Sequence, residues 1–208
     1  ALNAFKQVFD GKNRSIGLST TLVTKADEVK RVTERQEVTQ SKLVMGFRTP
    51  YAEPYTDVAV VKLMCAVLGG TPSSKLFMNV REKMSLCYYC AARYNPNKGI
   101  IIIDSGVENA NIEKTETAIL EQLKSMQAGD ITDEEIDAAK LALKNAYITS
   151  LDSLASIENF YLSQTFNRET LTPEESAEKI MAVTKEQIIE AAKAVSLDTI
   201  YVLTSNEQ

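Results

Sequence analysis

The chain has 208 residues, 44% hydrophobic and 25% charged, enough apolar material for one compact domain and too much for a disordered tail. Twenty-three Lys and Arg stand against 28 Asp and Glu, a formal charge of -5, so the basic excess that would hold a phosphate backbone is missing and no nucleic-acid partner is expected. The histidine count is zero, which removes the Ser-His-Asp triad, the Cys-His dyad and every histidine-ligated zinc site from what these residues can build alone.

Apolar runs such as Ile100 to Ile103 and Val58 to Val61 stop far short of the roughly 20 residues that cross a bilayer, so no membrane partner is expected. Ala1 to Arg14 holds no basic segment followed by an apolar stretch and does not read as a secretory signal. Three cysteines, Cys65, Cys87 and Cys90, are too few and odd in number for a disulfide framework. That usage fits a reducing compartment, and a cytoplasmic location is the expectation.

Residues 1–40 are polar and mixed, with a charged stretch from Lys25 to Glu37, and read as an N-terminal arm or linker ahead of a domain over 41–208. Lys42 to Arg48 is rich in strand formers and stops at Thr49-Pro50, because proline lacks the amide that would extend a ladder. Glu53-Pro54 opens a helix whose apolar Val58, Val61, Met64, Cys65 and Leu68 recur at helical spacing up to Gly69-Gly70. Thr71-Pro-Ser-Ser74 offers hydroxyl caps to a second helix carrying Leu76, Phe77 and Val80 and closing with Arg81, Glu82 and Lys83.

Leu86 to Tyr94 and Ile100 to Val107 are β-prone and flank Asn95-Pro-Asn-Lys-Gly99, which predicts a hairpin with a five-residue loop. A helix through Ile112, Ile119, Leu120 and Leu123 follows and ends near Gly129. Thr132-Asp-Glu-Glu135, Thr172-Pro-Glu-Glu175 and Thr184-Lys-Glu-Gln187 each carry the capping-box signature of a helix start. Ser150, Ser153 and Ser156 mark a bend, and Thr199 to Thr204 reads as a closing strand. Strands and helices grouped in this order predict an α+β fold, a mixed, mostly antiparallel sheet with helices packed on one face.

Few residues carry chemistry. Cys87-Tyr-Tyr-Cys90 has C-x-x-C spacing, but on a strand residues three apart face opposite ways, so the sulfurs are expected to diverge and to be structural. Three cysteines also fall short of a zinc ligand set. Gly69-Gly70-Thr-Pro-Ser-Ser74 lacks the P-loop spacing and reads as a helix end followed by a helix start. The pairs Asp133 with Glu134 and Glu174 with Glu175 sit in first turns, where the dipole favours acids. Arg81 and Tyr88 lie seven residues apart across the join between the second helix and the hairpin. A guanidinium fork and a phenol so placed could donate to one carbonyl of a bound chain, with a salt bridge and a packed ring as the alternative.

The run Leu68-Gly-Gly-Thr-Pro-Ser-Ser-Lys-Leu-Phe-Met-Asn-Val-Arg-Glu-Lys-Met-Ser-Leu-Cys-Tyr88 resembles the pitrilysin (insulinase) family of zinc metallopeptidases, which includes the mitochondrial processing peptidase. The shared features are a glycine-rich helix end, Ser-x-x-Leu-Phe, Arg-Glu-Lys and Leu-x-Tyr, and the resemblance extends over about residues 40 to 205. It implies duplicated α+β domains in two halves around a chamber that takes unfolded peptides. Zinc and the H-x-x-E-H motif belong to the other half, so this chain resembles a non-catalytic domain with no catalytic residue, cofactor or metal of its own.

Its implied partners are a catalytic H-x-x-E-H domain or subunit and an unfolded peptide. Arg81 and Tyr88 match the family's substrate-binding pair. Ser85 stands where the family usually has glycine, which leaves open how tightly the chain turns into Tyr88. The resemblance also allows an inactive subunit that only holds a peptide or a partner, and Cys87 with Cys90 admits a third reading as a thiol-based enzyme.

Overall fold

In the computed structural model, which describes residues 22–206 other than 166, strand β2 (Ser41–Arg48) alternates strictly between buried and half-buried positions. Leu43, Met45 and Phe47 therefore share one face and are almost wholly shielded from solvent, the period-2 pattern of a sheet covered on one side. Strand β3 (Cys87–Asn95) and strand β4 (Ile100–Val107) form the expected hairpin. Its turn closes at Gly99, whose φ of 59° favours glycine, and a Cβ there would stand 2.6 Å from the Thr49 carbonyl oxygen.

Among the described residues, strand β1 (Lys30–Arg35) and strand β5 (Ser196–Thr204) join the others in a five-stranded sheet in the order β1-β5-β2-β4-β3. Only β1 with β5 runs parallel; the other neighbours are antiparallel. This is the mixed, mostly antiparallel sheet expected from the sequence. Two strands differ from that expectation. Residues 30–35, read as part of an arm, are a strand at the sheet's edge, exposed at all six positions, so no apolar alternation announces them. Strand β5 begins at Ser196 rather than Thr199 because its first residues pair with Arg48 and Phe47 beyond an irregularity in the ladder. Residues 1–21 of the proposed arm lie outside the described residues.

Helices cover the Leu43 face. Helix α1 (Ala59–Cys65) continues as a wider turn over Ala66–Gly70. It starts later than its proline suggested, because residues 53–56 form a turn and a bend and the Asp57 carboxylate accepts from the Ala59 amide at 2.9 Å. Helix α2 (Leu76–Lys83) follows, wound in the wider π manner. Helices α3 (Ile112–Gln127), α4 (Asp133–Thr149), α5 (Leu154–Ser163), α6 (Pro173–Ala182) and α7 (Lys185–Lys193) make up the second half.

The starts of α4, α6 and α7 are capping boxes at Thr132, Thr172 and Thr184, with both reciprocal bonds formed in each. The core is one cluster in which Ile101 and Ile103 of β4 and Ile200 and Val202 of β5 meet Leu63, Met64 and Leu68, Ile119 of α3 and Ile188 of α7. No helix among the described residues is long and apolar enough to cross a membrane.

Two contacts fix where α2 sits. Gly69 approaches β3 so closely that a Cβ would lie 2.8 Å from the Ala92 nitrogen, so this glycine serves the packing of the helix end on the strand. Lys75, just before α2, is almost fully buried, and its ammonium lies 3.1 Å from Glu135 at the start of α4.

Candidate functional site

The exit from α2 is built by backbone bonds that reach further than those of an α-helix. The Met84 amide donates to the Asn79 carbonyl at 2.9 Å and the Leu86 amide to that of Val80 at 3.2 Å. This closure reverses the chain at Ser85, whose φ of 51° lies in the left-handed region that L-residues with a Cβ enter at a cost of roughly 1–2 kcal/mol. Serine thus adopts the turn that glycine would make, and the departure from the family pattern leaves the turn intact. Ser85→Gly is expected to raise stability by about 1 kcal/mol, read as a higher urea midpoint with unchanged m-value.

Strand β3 then begins with a bulge. Cys87 stands opposite Val107 and Tyr89 opposite Gly106, so Tyr88 is the extra residue, and such insertions re-aim side chains at sheet margins. Tyr88 is 57% exposed, and its hydroxyl donates to the Glu108 carboxylate at 3.1 Å. That hydrogen bond, reinforced by the negative charge of Glu108, holds the phenol above its usual pKa and keeps it a donor.

Arg81 meets Tyr88 from the helix side: its Nε donates to the Tyr88 carbonyl oxygen at 2.8 Å. Its Nη1 pairs with Glu82 at 2.6 Å, and its guanidinium carbon lies 4.6 Å from the centre of the Phe77 ring, a cation–π contact. The two residues singled out from the sequence thus share the wall of one pocket of about 400 Å³, with Ser85, Cys87, Glu108 and Asn111 also in its lining. Glu108 was missed in the sequence: in the antiparallel ladder Val107 faces Cys87, so the residue after Val107 falls on the side of Leu86, and no pairing of the hairpin announces the Glu108–Tyr88 hydrogen bond.

The bulge also overturns one expectation. Cys87 and Cys90 oppose Val107 and Ser105, which are two residues apart on β4, so both cysteines face the same side of the sheet. Divergence would hold only for an unbroken ladder. The interaction with Cys90, helped by Ser105 and the nearby Arg81 charge, outweighs burial and brings the half-buried Cys87 thiol down to about 7. The same interaction raises the Cys90 thiol. Cys65, away from this pair, is pushed up to about 12 by burial alone.

The donor set does not fit a zinc ion. Histidine is absent from the whole chain, and among the described residues no three His, Cys, Asp or Glu side chains are grouped to hold a metal. A larger cleft of about 910 Å³, with Lys62, Arg93, Tyr147, Gln164, Arg168 and Lys179 among its lining residues, does not include Arg81 or Tyr88.

Comparison with known proteins bears on the family and the fold. The family described as "Peptidase M16 inactive domain" matches residues 2–143. A Bacillus subtilis protein called "Probable inactive metalloprotease YmfF" is 33% identical over 208 residues, covering 99% of this chain and 48% of its own length. The mitochondrial-processing peptidase subunit beta of Saccharomyces cerevisiae is 36% identical over 90 residues, 43% of this chain and 19% of its own. The chain spans about half the length of its YmfF relative.

Among solved structures, a conserved protein from Enterococcus faecalis V583 superposes with a TM-score of 0.87 at 30% identity, covering all of this chain and 49% of that one. A Helicobacter pylori protease gives a TM-score of 0.82 at 17% identity over 97% of this chain and 51% of its own, a likeness of fold. A sheet with helices on one face, no metal-binding cluster among the described residues and these matches together place the chain in the peptidase M16, or pitrilysin, family, as its inactive domain.

Proposed function

We propose that this domain forms part of the wall of a peptide-binding chamber and that Arg81 and Tyr88 present hydrogen-bond donors to a carbonyl of an extended peptide. The observation that carries the proposal is the Arg81–Tyr88 unit itself. The guanidinium fixes the Tyr88 backbone through Nε while the exposed phenol lines the same pocket, so both groups are positioned before any ligand arrives, and a peptide carbonyl takes the phenol's hydrogen by displacing Glu108 from it. Positioned groups lose little freedom on binding. In the pitrilysin pattern the zinc and the general base belong to a partner half carrying H-x-x-E-H, and this chain's part is to bind and orient the peptide.

The relative named as a probable inactive metalloprotease favours a second reading, in which the whole protein holds a peptide or a partner domain without cleaving it. Both readings give Arg81 and Tyr88 the same task, and hydrolysis of a labelled peptide by the whole protein separates them. The shared task is tested by titrating an unstructured peptide against the whole protein. Arg81→Ala is expected to weaken binding about tenfold, the size of one charge-assisted hydrogen bond. Tyr88→Phe, which keeps the ring, is expected to weaken it by a smaller factor. Unchanged affinity in both variants, with intact circular dichroism, would refute the donor role.

A further inference from the structure

We propose that Cys87 and Cys90 form a redox-active dithiol, in which the Cys87 thiolate reacts with a hydroperoxide and Cys90 resolves the product to an intrachain disulfide. The proposal stands on placement and is independent of the peptide-binding reading. The bulge at Tyr88 brings both side chains to one face, opposite Val107 and Ser105, which are neighbours on that face of β4. Their environments divide the labour. Cys87 is half-buried and lines the Arg81 pocket, where a small oxidant can reach it, whereas Cys90 lies behind it, 4% exposed.

Oxidation-sensing thiols combine thiolate character, access and an adjacent resolving cysteine. Cys87 has all three, its charge being favoured by Cys90, Ser105 and Arg81. Cys65, buried and with its thiol pushed up by burial alone, lacks both thiolate character and access.

Partners two residues apart on β4 put the Cα atoms of the cysteines about 6.6–6.8 Å from each other by the strand rise. That is the upper edge of the span a disulfide bridges, so closure requires β3 to tighten at its bulge. The strand can do so because, among the described residues, it is the sheet's outermost, with β4 as its one neighbour. In the first step the Cys87 sulfur attacks the distal oxygen of the hydroperoxide. The O–O bond breaks, the leaving alkoxide or hydroxide takes a proton from water, and Cys87 becomes a sulfenic acid. In the second, the Cys90 sulfur, losing its proton, attacks the sulfenic sulfur, the S–S bond forms and water departs. Two electrons pass from the two thiols to the peroxide.

Hydrogen peroxide applied to the whole chain, followed by intact mass and peptide mapping, tests this. The expected result is a mass lower by two hydrogens, a Cys87–Cys90 linkage reversed by dithiothreitol, and Cys65 still reduced. In Cys90→Ala the reaction is expected to stop at a Cys87 sulfenic acid that dimedone traps. Iodoacetamide labelling of the untreated chain should show Cys87 reacting with a midpoint near pH 7. The proposal fails if the wild-type chain accumulates a dimedone adduct or a sulfinic acid in place of the linkage, or if the linkage involves Cys65. It fails equally if Cys87 labels with the midpoint of an ordinary thiol, about 8.5.

Discussion

Replacing Glu135 by alanine is expected to lower the unfolding free energy by about 3 kcal/mol, one of the two largest effects this structure predicts. One oxygen of Glu135 meets the Lys75 ammonium at 3.1 Å and the other accepts from the Thr132 amide at 2.9 Å. A single carboxylate therefore neutralises a cation in the interior and completes a helix cap. The Lys75 side chain is 5% exposed, so without its partner the ammonium is left in a medium that solvates it poorly. The estimate sits at the low end for broken buried pairs because Glu135 itself retains 20% exposure.

The origin of the loss is checked by combination. Lys75→Met on the Glu135→Ala background is expected to recover most of the lost stability, since it removes the stranded charge and fills the same volume. Urea titrations of the single and double variants give the comparison directly. A double variant no more stable than Glu135→Ala would show that the lost cap, and not the buried cation, accounts for the effect.

Gly69→Ala is expected to cost a similar amount, about 3 kcal/mol, the upper end for inserting a methyl into a packed interior. The added carbon would stand 2.7 Å from Leu76 Cδ1, 2.8 Å from the Ala92 nitrogen and 2.9 Å from the Ala92 Cβ. Leucine can swing away, but the Ala92 nitrogen belongs to β3, which is tied to β4 along its length. Either the strand or the helix end has to retreat. Gly70→Ala is the control: its nearest contact would be 3.4 Å, so a far smaller loss is expected there. Ala92→Gly should rescue Gly69→Ala only in part, because it removes the Cβ clash and leaves the one with the nitrogen. Thermal melts of the four proteins decide the matter, and equal losses at Gly69 and Gly70 would contradict the close approach.

Much of this fold can be read along the chain because its signals are local. A Thr followed three residues on by Glu or Gln names three helix starts correctly, since a capping box needs only its own four residues. The alternation of Leu43, Met45 and Phe47 reports the covered face, and Asn95 to Gly99 reports the hairpin turn. What stays hidden is set by non-local pairing. Strand β1 has four charged residues and no buried position, so it exists only because β5 offers a free edge.

The bulge at Tyr88 comes just after the turn at Ser85 and leaves no mark of its own in Cys87-Tyr-Tyr-Cys90. Without it the cysteines are misread as facing apart. The Arg81 and Tyr88 pair was legible from spacing and family resemblance. Its partner Glu108, and the burial of Lys75 against Glu135, required the packing.

The character of β1 bears on how this sheet behaves in a crowded solution. An unpaired strand border is a template on which a foreign strand can grow. Among the described residues one such border is β1, with Lys30, Arg31, Glu34 and Arg35, and Arg31 is further engaged by Glu116 at 2.5 Å. A visiting chain that tried to zip onto it would have to crowd these charges and pull Arg31 from its carboxylate, so the polar composition that hides this strand from sequence reading also opposes fibrillar growth along it.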